Sequence, residues 1–211
     1  MNGIDYVLLL FLLVAIIMGV RRGLFSGLIS ILGAGFGVIV GVNYVDWSTT
    51  KVLSHMKVSP IMITMLSFIF FFILTYLIFK ILGYLFYKIA ELKPLGNVDR
   101  VGGAILGVFV GWIVLGSILF LLMFLPLSAK LNNNLDNSFF VPVMRGTIPF
   151  IYEESTFFHP QNPKFIDKMK KALLINPGKA KDEMQENQLE SEGSRAERII
   201  EKMESYFVTE G

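Results

Sequence analysis

Residues 4–45 read IDYVLLLFLLVAIIMGVRRGLFSGLISILGAGFGVIVGVNYV, and the fold turns on how that stretch divides. A helix needs roughly 17 to 25 apolar residues to cross a hydrocarbon core of about 30 Å. Ile4 to Val20 meets that length and is ended by Arg21-Arg22-Gly23; Leu24 to Val45 meets it again and is ended by Asp46. The first run has no basic residue before it and no small-x-small cleavage site after it, and a second apolar run follows directly. It therefore reads as a retained helix, not a cleaved signal peptide.

Working outward, a third run begins at Ile61 and passes Phe79, and a fourth spans Val101 to Leu127. The third continues beyond Lys80 through Tyr84 and Tyr87 to Ile89, longer than a bilayer is thick. Lys80 and Lys88 can snorkel and the tyrosines suit the headgroup layer, which predicts a tilted or projecting helix. The chain as a whole is 54% hydrophobic and 17% charged over 211 residues, more apolar than a soluble domain of this size sustains. Its charge is unevenly divided: Met1 to Leu127 holds eight Lys/Arg and four Asp/Glu, the remainder eleven and thirteen. The sequence thus predicts an all-α membrane protein with four transmembrane helices over 1–127. A membrane-proximal extension with a short amphipathic helix follows over 128–175, then an acidic linker and terminal amphipathic helix over 176–211.

Basic residues near the helix ends set the expected orientation. Arg21, Arg22, Lys88, Lys93 and Arg100 lie on one side, against Lys51, Lys57, Lys130 and Arg145 on the other. The asymmetry across the first helix decides, and both termini are expected outside the cytoplasm. The net charge of +2 is too small and too divided to suggest nucleic acid, and the lack of cysteine removes disulfides, thiolate metal sites and cysteine nucleophiles.

Gly33, Gly37 and Gly41 recur every four residues in the second run, and Gly103, Gly107 and Gly111 do so in the fourth. Such rows make grooves through which backbones approach closely, a main source of helix association in lipid. The second and fourth runs are therefore expected to form the tightest contact. Neither interior holds an ionisable residue, which favours packing over a pore lining. Asn43 is the most polar deep candidate, with Ser26, Ser30, Thr64, Ser67, Thr75, Ser117 and Lys80 as the other polar groups at membrane depth.

Asp5 stands just inside the first helix, followed by Gly19-Val20-Arg21-Arg22-Gly23-Leu24-Phe25 and then by Asn97-Val98-Asp99-Arg100-Val101-Gly102-Gly103 and Gly107. In these residues, over roughly residues 1 to 150, the chain resembles the colicin V production protein (CvpA-like) family. The resemblance implies a four-helix protein of the bacterial inner membrane, associated with colicin V production or export and with envelope phenotypes. It marks Asp5, Arg22, Gly23, Asp99, Arg100 and Gly103 as family-motif positions and brings no catalytic residue and no cofactor. A related domain forms the membrane part of some serine proteases, but this tail has no Gly-x-Ser-x-Gly.

After Pro126 the polar stretch Lys130 to Asn137 must leave the hydrocarbon. Phe139 to Ile151 is apolar but broken by Pro142 and Pro149, and reads as a loop or short helices on the membrane face of the bundle. Asn162-Pro163 offers a helix start and Asn176-Pro177-Gly178 a stop. Between them Phe165, Ile166, Met169 and Leu173 oppose Lys164, Lys168 and Lys171, a basic amphipathic helix suited either to an anionic lipid surface or to a core of the tail itself. Gly178 to Glu192 has the composition of a disordered linker. Ser194-Arg195-Ala196-Glu197 resembles a capping box, and Ile199, Ile200, Met203 and Phe207 follow as a stripe on a helix too short to stand alone. That stripe is expected to dock on another copy, another protein or the bilayer.

No HExxH, P-loop, nucleotide-type GxGxxG or nucleophile elbow is present, and His55 and His159 stand isolated in polar loops. The sequence predicts no enzyme, no metal and no cofactor. Two functions remain: an accessory or structural module for secretion or envelope maintenance, with the lipid bilayer and a homo-oligomer or other membrane proteins as partners, and a small oligomeric channel or transporter.

Overall fold

The computed structural model describes residues 2–53, 58–89, 96–158, 164–174 and 186–207. His55 and His159, the expected start of the amphipathic helix at Asn162-Pro163 and its stop at Asn176-Pro177-Gly178 lie outside the described residues. Helix α1 covers Gly3–Leu53, 51 residues, a length that would reach about 77 Å if straight. It is not straight. Gly23 has φ 78° and ψ 177°, a non-helical conformation that side-chain-bearing residues rarely adopt, and it divides α1 into a first limb, 3–22, and a second limb, 24–53.

Neighbours along α3 (Asn97–Leu121) reveal what the break does. Gly19 lies against Gly103 and Gly107, and Gly107 and Gly111 lie against Ala15, so the first limb runs antiparallel to α3. Beyond Gly23, Leu24 lies against Gly102 and Gly27 against Leu106, so the second limb runs parallel to it. The chain therefore reverses at a single glycine. Helix α2 (Pro60–Ile89) returns along the second limb, with Phe68 against Gly41, Phe72 against Gly37, Phe79 against Gly33 and Gly83 against Ile29. Among the described residues three helices are long and apolar enough to cross a membrane, and the bend in the first divides them into four segments.

Segment ends differ from the expectation in ways the chain explains. The second limb passes Asp46 and continues to Leu53, because that carboxylate is neutralised by lysines of the tail. The last apolar segment starts at Asn97 and closes with a 3-10 turn over Leu122–Phe124, short of Leu127. Leu125 is extended there, as a residue preceding proline prefers.

The tail is helical through most of its described length. Lys130 to Asn137 falls mostly in α4 (Ala129–Asp136), whose N-cap Ser128 accepts from the Leu131 N–H at 3.4 Å. Helix α5 (Phe140–Glu154) takes Pro142 into its first turn and holds Pro149 within it. A 3-10 turn, Thr156–Phe158, then α6 (Phe165–Leu173) and α7 (Glu186–Phe207) complete the chain. Helix α7 begins eight residues before Ser194, so part of the expected linker is helix and the capping-box pattern lies in a helix interior.

Tail and bundle share one core. Val38, Val42, Phe68 and Phe120 of the long helices pack with Ile148, Tyr152, Phe165, Met169 and Met203 of the tail. The Phe165 ring joins the parts, 5.7 Å from Phe120 and 5.8 Å from Phe207. A second cluster sets Leu8, Leu12, Leu115 and Leu119 against Leu135, Val141 and Met144. Both gather at the end of the bundle away from Gly23.

Candidate functional site

Polar and charged groups concentrate at the two ends of the bundle, and each end is built differently. At the reversal, the Leu24 N–H, first of the second limb, donates to Asp99 Oδ1 at 2.8 Å. The carboxylate thus caps a helix N-terminus from a residue on α3, where a negative charge also suits the helix dipole. The fit requires glycine twice over, since a Cβ on Gly23 would lie 2.7 Å from the Asp99 carboxyl carbon as well as on a positive-φ backbone. Below the corner the seam is backbone on backbone: a Cβ on Gly107 would stand 2.6 Å from the Ala15 carbonyl oxygen.

These contacts correct the expected pairing of the glycine rows. Gly33, Gly37 and Gly41 do not meet Gly103, Gly107 and Gly111. The first row seats the aromatic ridge of α2, and the second seats Ala15 and Gly19 of the first limb and Gly23 at the break. An Ala15-Gly19-Gly23 row stands in the sequence at the same four-residue spacing, and it is the partner.

Asp5 plays at the other end the part that Asp99 plays at the corner. Fully buried, it accepts from the Ser138 hydroxyl, from the Phe139 and Phe140 N–H groups at 3.0 and 3.2 Å, and from the Asn2 N–H at 2.7 Å. It caps α5, so the first turn of the bundle holds a helix of the tail. Of the other motif positions, Gly103 is in the seam, while Arg22 and Arg100 are exposed at the corner end.

Two ionic clusters hold the tail down. Lys168 is buried on α6, its Nζ 3.2 Å from Asp46 Oδ1 and 2.9 Å from the Asn43 carbonyl; Lys171 reaches Asp46 Oδ2 at 3.3 Å. The Tyr152 hydroxyl donates to Asn43 Oδ1 at 3.0 Å. Burial pushes that hydroxyl up to about 12, and the Asp46 and Glu153 charges add to the rise. In the second cluster Asp136 receives Arg145 and Lys202, each at 3.0 Å. Arg145 is fully buried, donates from Nε to the Leu119 carbonyl at 3.2 Å and lies 5.6 Å from the Tyr206 ring centre. Burial disfavours the Asp136 charge, but hydrogen bonds from Tyr206, Lys202 and Arg145 outweigh it and hold the carboxyl below its ordinary value. The same environment lifts Tyr206 to about 12, by burial first and by the Asp136 carboxylate second.

Helix α6 therefore turns Lys168 inward to Asp46, with Lys171 reaching the same carboxylate from the surface and Lys170 pairing with Glu204 of α7. The stripe on α7 is also covered by its own chain: Ile199, Ile200 and Met203 are buried in the shared core and Phe207 packs against it. The expectation that an external partner must cover this face does not hold, because α5 and α6 supply the cover. Arg145, Asp136, Tyr152 and the Lys168–Asp46 pair were not singled out from sequence as site residues. Arg145 alone carried a visible signal, as the one charge within the apolar stretch from Phe139 to Ile151.

Among the described residues no group of three or more His, Cys, Asp or Glu could hold a metal ion. Two adjoining cavities, of about 350 and 360 Å³, share Arg22 and Ser30 in their walls; the first lies among both limbs of α1, α2 and α3, the second between α1 and α2.

Long apolar segments meeting through a glycine seam, under a folded helical cap, define a multi-helix membrane protein. The chain belongs to the colicin V production protein family, whose model matches residues 4–149. No curated protein and no solved structure gives a significant match.

Proposed function

We propose that this protein is a non-enzymatic accessory module of the bacterial inner membrane that crosses the bilayer four times, keeps both termini outside the cytoplasm and supports secretion or envelope maintenance. The observation that carries this reading is the use made of the buried charges. Asp5 caps α5, Asp46 holds Lys168 and Lys171, and Arg145 holds Asp136. These interactions fasten a helical platform to one end of the bundle. A buried ion pair is weak evidence for stability but serves well to fix one geometry, which is what a docking scaffold needs.

A channel would need polar groups converging on a water path. Ser117 instead returns its hydroxyl to the Ile113 carbonyl and Thr49 to the Val45 carbonyl. Family membership and the apolar helices fit the membrane module; its partners, whether another copy or other envelope proteins, belong to the proposal. Affinity isolation of the crosslinked, tagged chain from its native membrane tests it. Recovery of a stable set of secretion or cell-wall proteins is expected, and a pure homo-oligomer that conducts ions in liposomes would overturn the reading.

A further inference from the structure

Between the two limbs of α1, α2 and α3 the bundle carries a groove whose character changes along its length. Towards the middle of the segments it is apolar, a cavity of about 350 Å³ walled by Ala15, Met18, Phe72, Val110 and Val114. Met18 stays 43% exposed, so this cavity opens at the bundle surface. Towards the reversal the walls become Arg22, Ser26, Lys80, Tyr84 and Tyr87 around about 360 Å³. Arg22 and Ser30 border both cavities, so the two adjoin as a slot in two parts.

The two cations are uncommitted. Among the described residues neither Arg22 nor Lys80 forms an ion pair, and both are exposed. Asp99, the carboxylate at the reversal, already accepts from the Leu24 N–H at 2.8 Å. Lys80 follows directly on Phe79, which packs against Gly33, and precedes Gly83, which packs against Ile29, so it lies at the level of Ser30 and slightly deeper than Arg22. Two cations with no carboxylate paired to them among the described residues, set beside an apolar slot, suit an external anion that carries an apolar chain.

We propose that this groove binds an anionic phospholipid, with the phosphate between Arg22 and Lys80, hydroxyl donors from Ser26, Tyr84 and Tyr87 around it, and one acyl chain in the cavity at Ala15, Val110 and Val114. The order of chemistry along the slot, cationic and hydroxyl-bearing at the segment end and apolar towards the middle, matches that amphiphile. A free phosphate would leave the apolar half empty. A basic group near an anionic lipid surface contributes on a scale that makes each cation worth about fivefold in affinity.

The test is native mass spectrometry of the full-length protein in detergent with phosphatidylglycerol and phosphatidylcholine of identical acyl chains. Preferential retention of phosphatidylglycerol is expected. Arg22→Gln should lower it about fivefold, and Arg22→Gln with Lys80→Gln about thirtyfold, with phosphatidylcholine unchanged. Lys88→Gln, on the same helix but outside the groove, should leave the preference in place. Val114→Phe should cut phosphatidylglycerol retention with both cations present. Both cation substitutions are at exposed positions, so the result does not depend on a variant that fails to fold. Equal retention of the two lipids by the unaltered protein, an undiminished preference in the double variant, or displacement by millimolar inorganic phosphate would overturn the proposal. The readout needs no protein partner, so it stands or falls apart from the accessory role.

Discussion

Gly23 and Asp99 work as one device at the residue scale, a positive-φ hinge and the carboxylate that caps the helix leaving it. Gly23→Ala imposes a strained backbone and a collision with Asp99, and should cost about 1–3 kcal/mol, read as a lower unfolding temperature in detergent. Asp99→Ala removes the cap and should cost about 1 kcal/mol. Because the two share one contact, the double variant should lose less than the sum, and strict additivity would show that they act separately. The break itself was legible, since two arginines and a glycine interrupt an apolar run. The cap was not: its acceptor lies 75 positions away. Asp5, 135 positions from Phe140, was equally silent about its role. Local spacing encodes where a chain turns far better than which distant side chain satisfies the turn.

Among the elements, glycine rows announced helix packing but not its partners. Apolar composition identifies a groove, whereas the choice of ridge depends on shape: Phe68, Phe72 and Phe79 fill the wide groove of the second limb, and Ala15, Gly19 and Gly23 are small enough for the seam with α3. Substitutions should rank accordingly. Gly107→Leu meets backbone that cannot yield and should disrupt the bundle. Gly37→Leu first meets the Phe72 ring, 3.0 Å from a Cβ, and should do less harm; Leu119→Ile, which conserves volume, should cost under about 1.5 kcal/mol. Thermal unfolding in detergent checks the order, and an unaltered transition for Gly107→Leu would refute the seam. The contacts that join α4, α5 and α7 add a pH dependence. Asp136 titrates below its ordinary value of 3.8 in the folded protein, so its contribution is complete above that pH and lost as pH falls through the lower folded value. Tyr206 works in the opposite sense: its neutral hydroxyl contributes fully below 10 and loses that contribution as pH rises towards about 12. Hydrogen exchange in α7, corrected for its intrinsic rate, should stay constant from neutrality to about pH 5 and rise in acid. Asp136→Asn should remove that acid step.

For the whole molecule, the four apolar segments could be read from length and hydropathy alone, and the tail could not. Helices α4 and α6 are short, α5 holds a proline and α7 is polar over most of its surface, and the core they share is assembled out of Val42, Phe120, Tyr152, Phe165 and Met203, which no single window of sequence contains. The α7 stripe was visible, but a stripe does not say whether its cover comes from the same chain. The same long-range packing makes the molecule two-ended, with the reversal and the start of α3 at one end and the helical platform at the other. That division is the central claim, and thiol accessibility in this cysteine-free chain tests it most directly. Ser191→Cys, exposed on α7, should label with an impermeant reagent in intact cells whose outer layer admits it, while Val98→Cys, 65% exposed at the start of α3, should label only after lysis. Labelling of both in intact cells, or of Val98→Cys alone, would contradict the account.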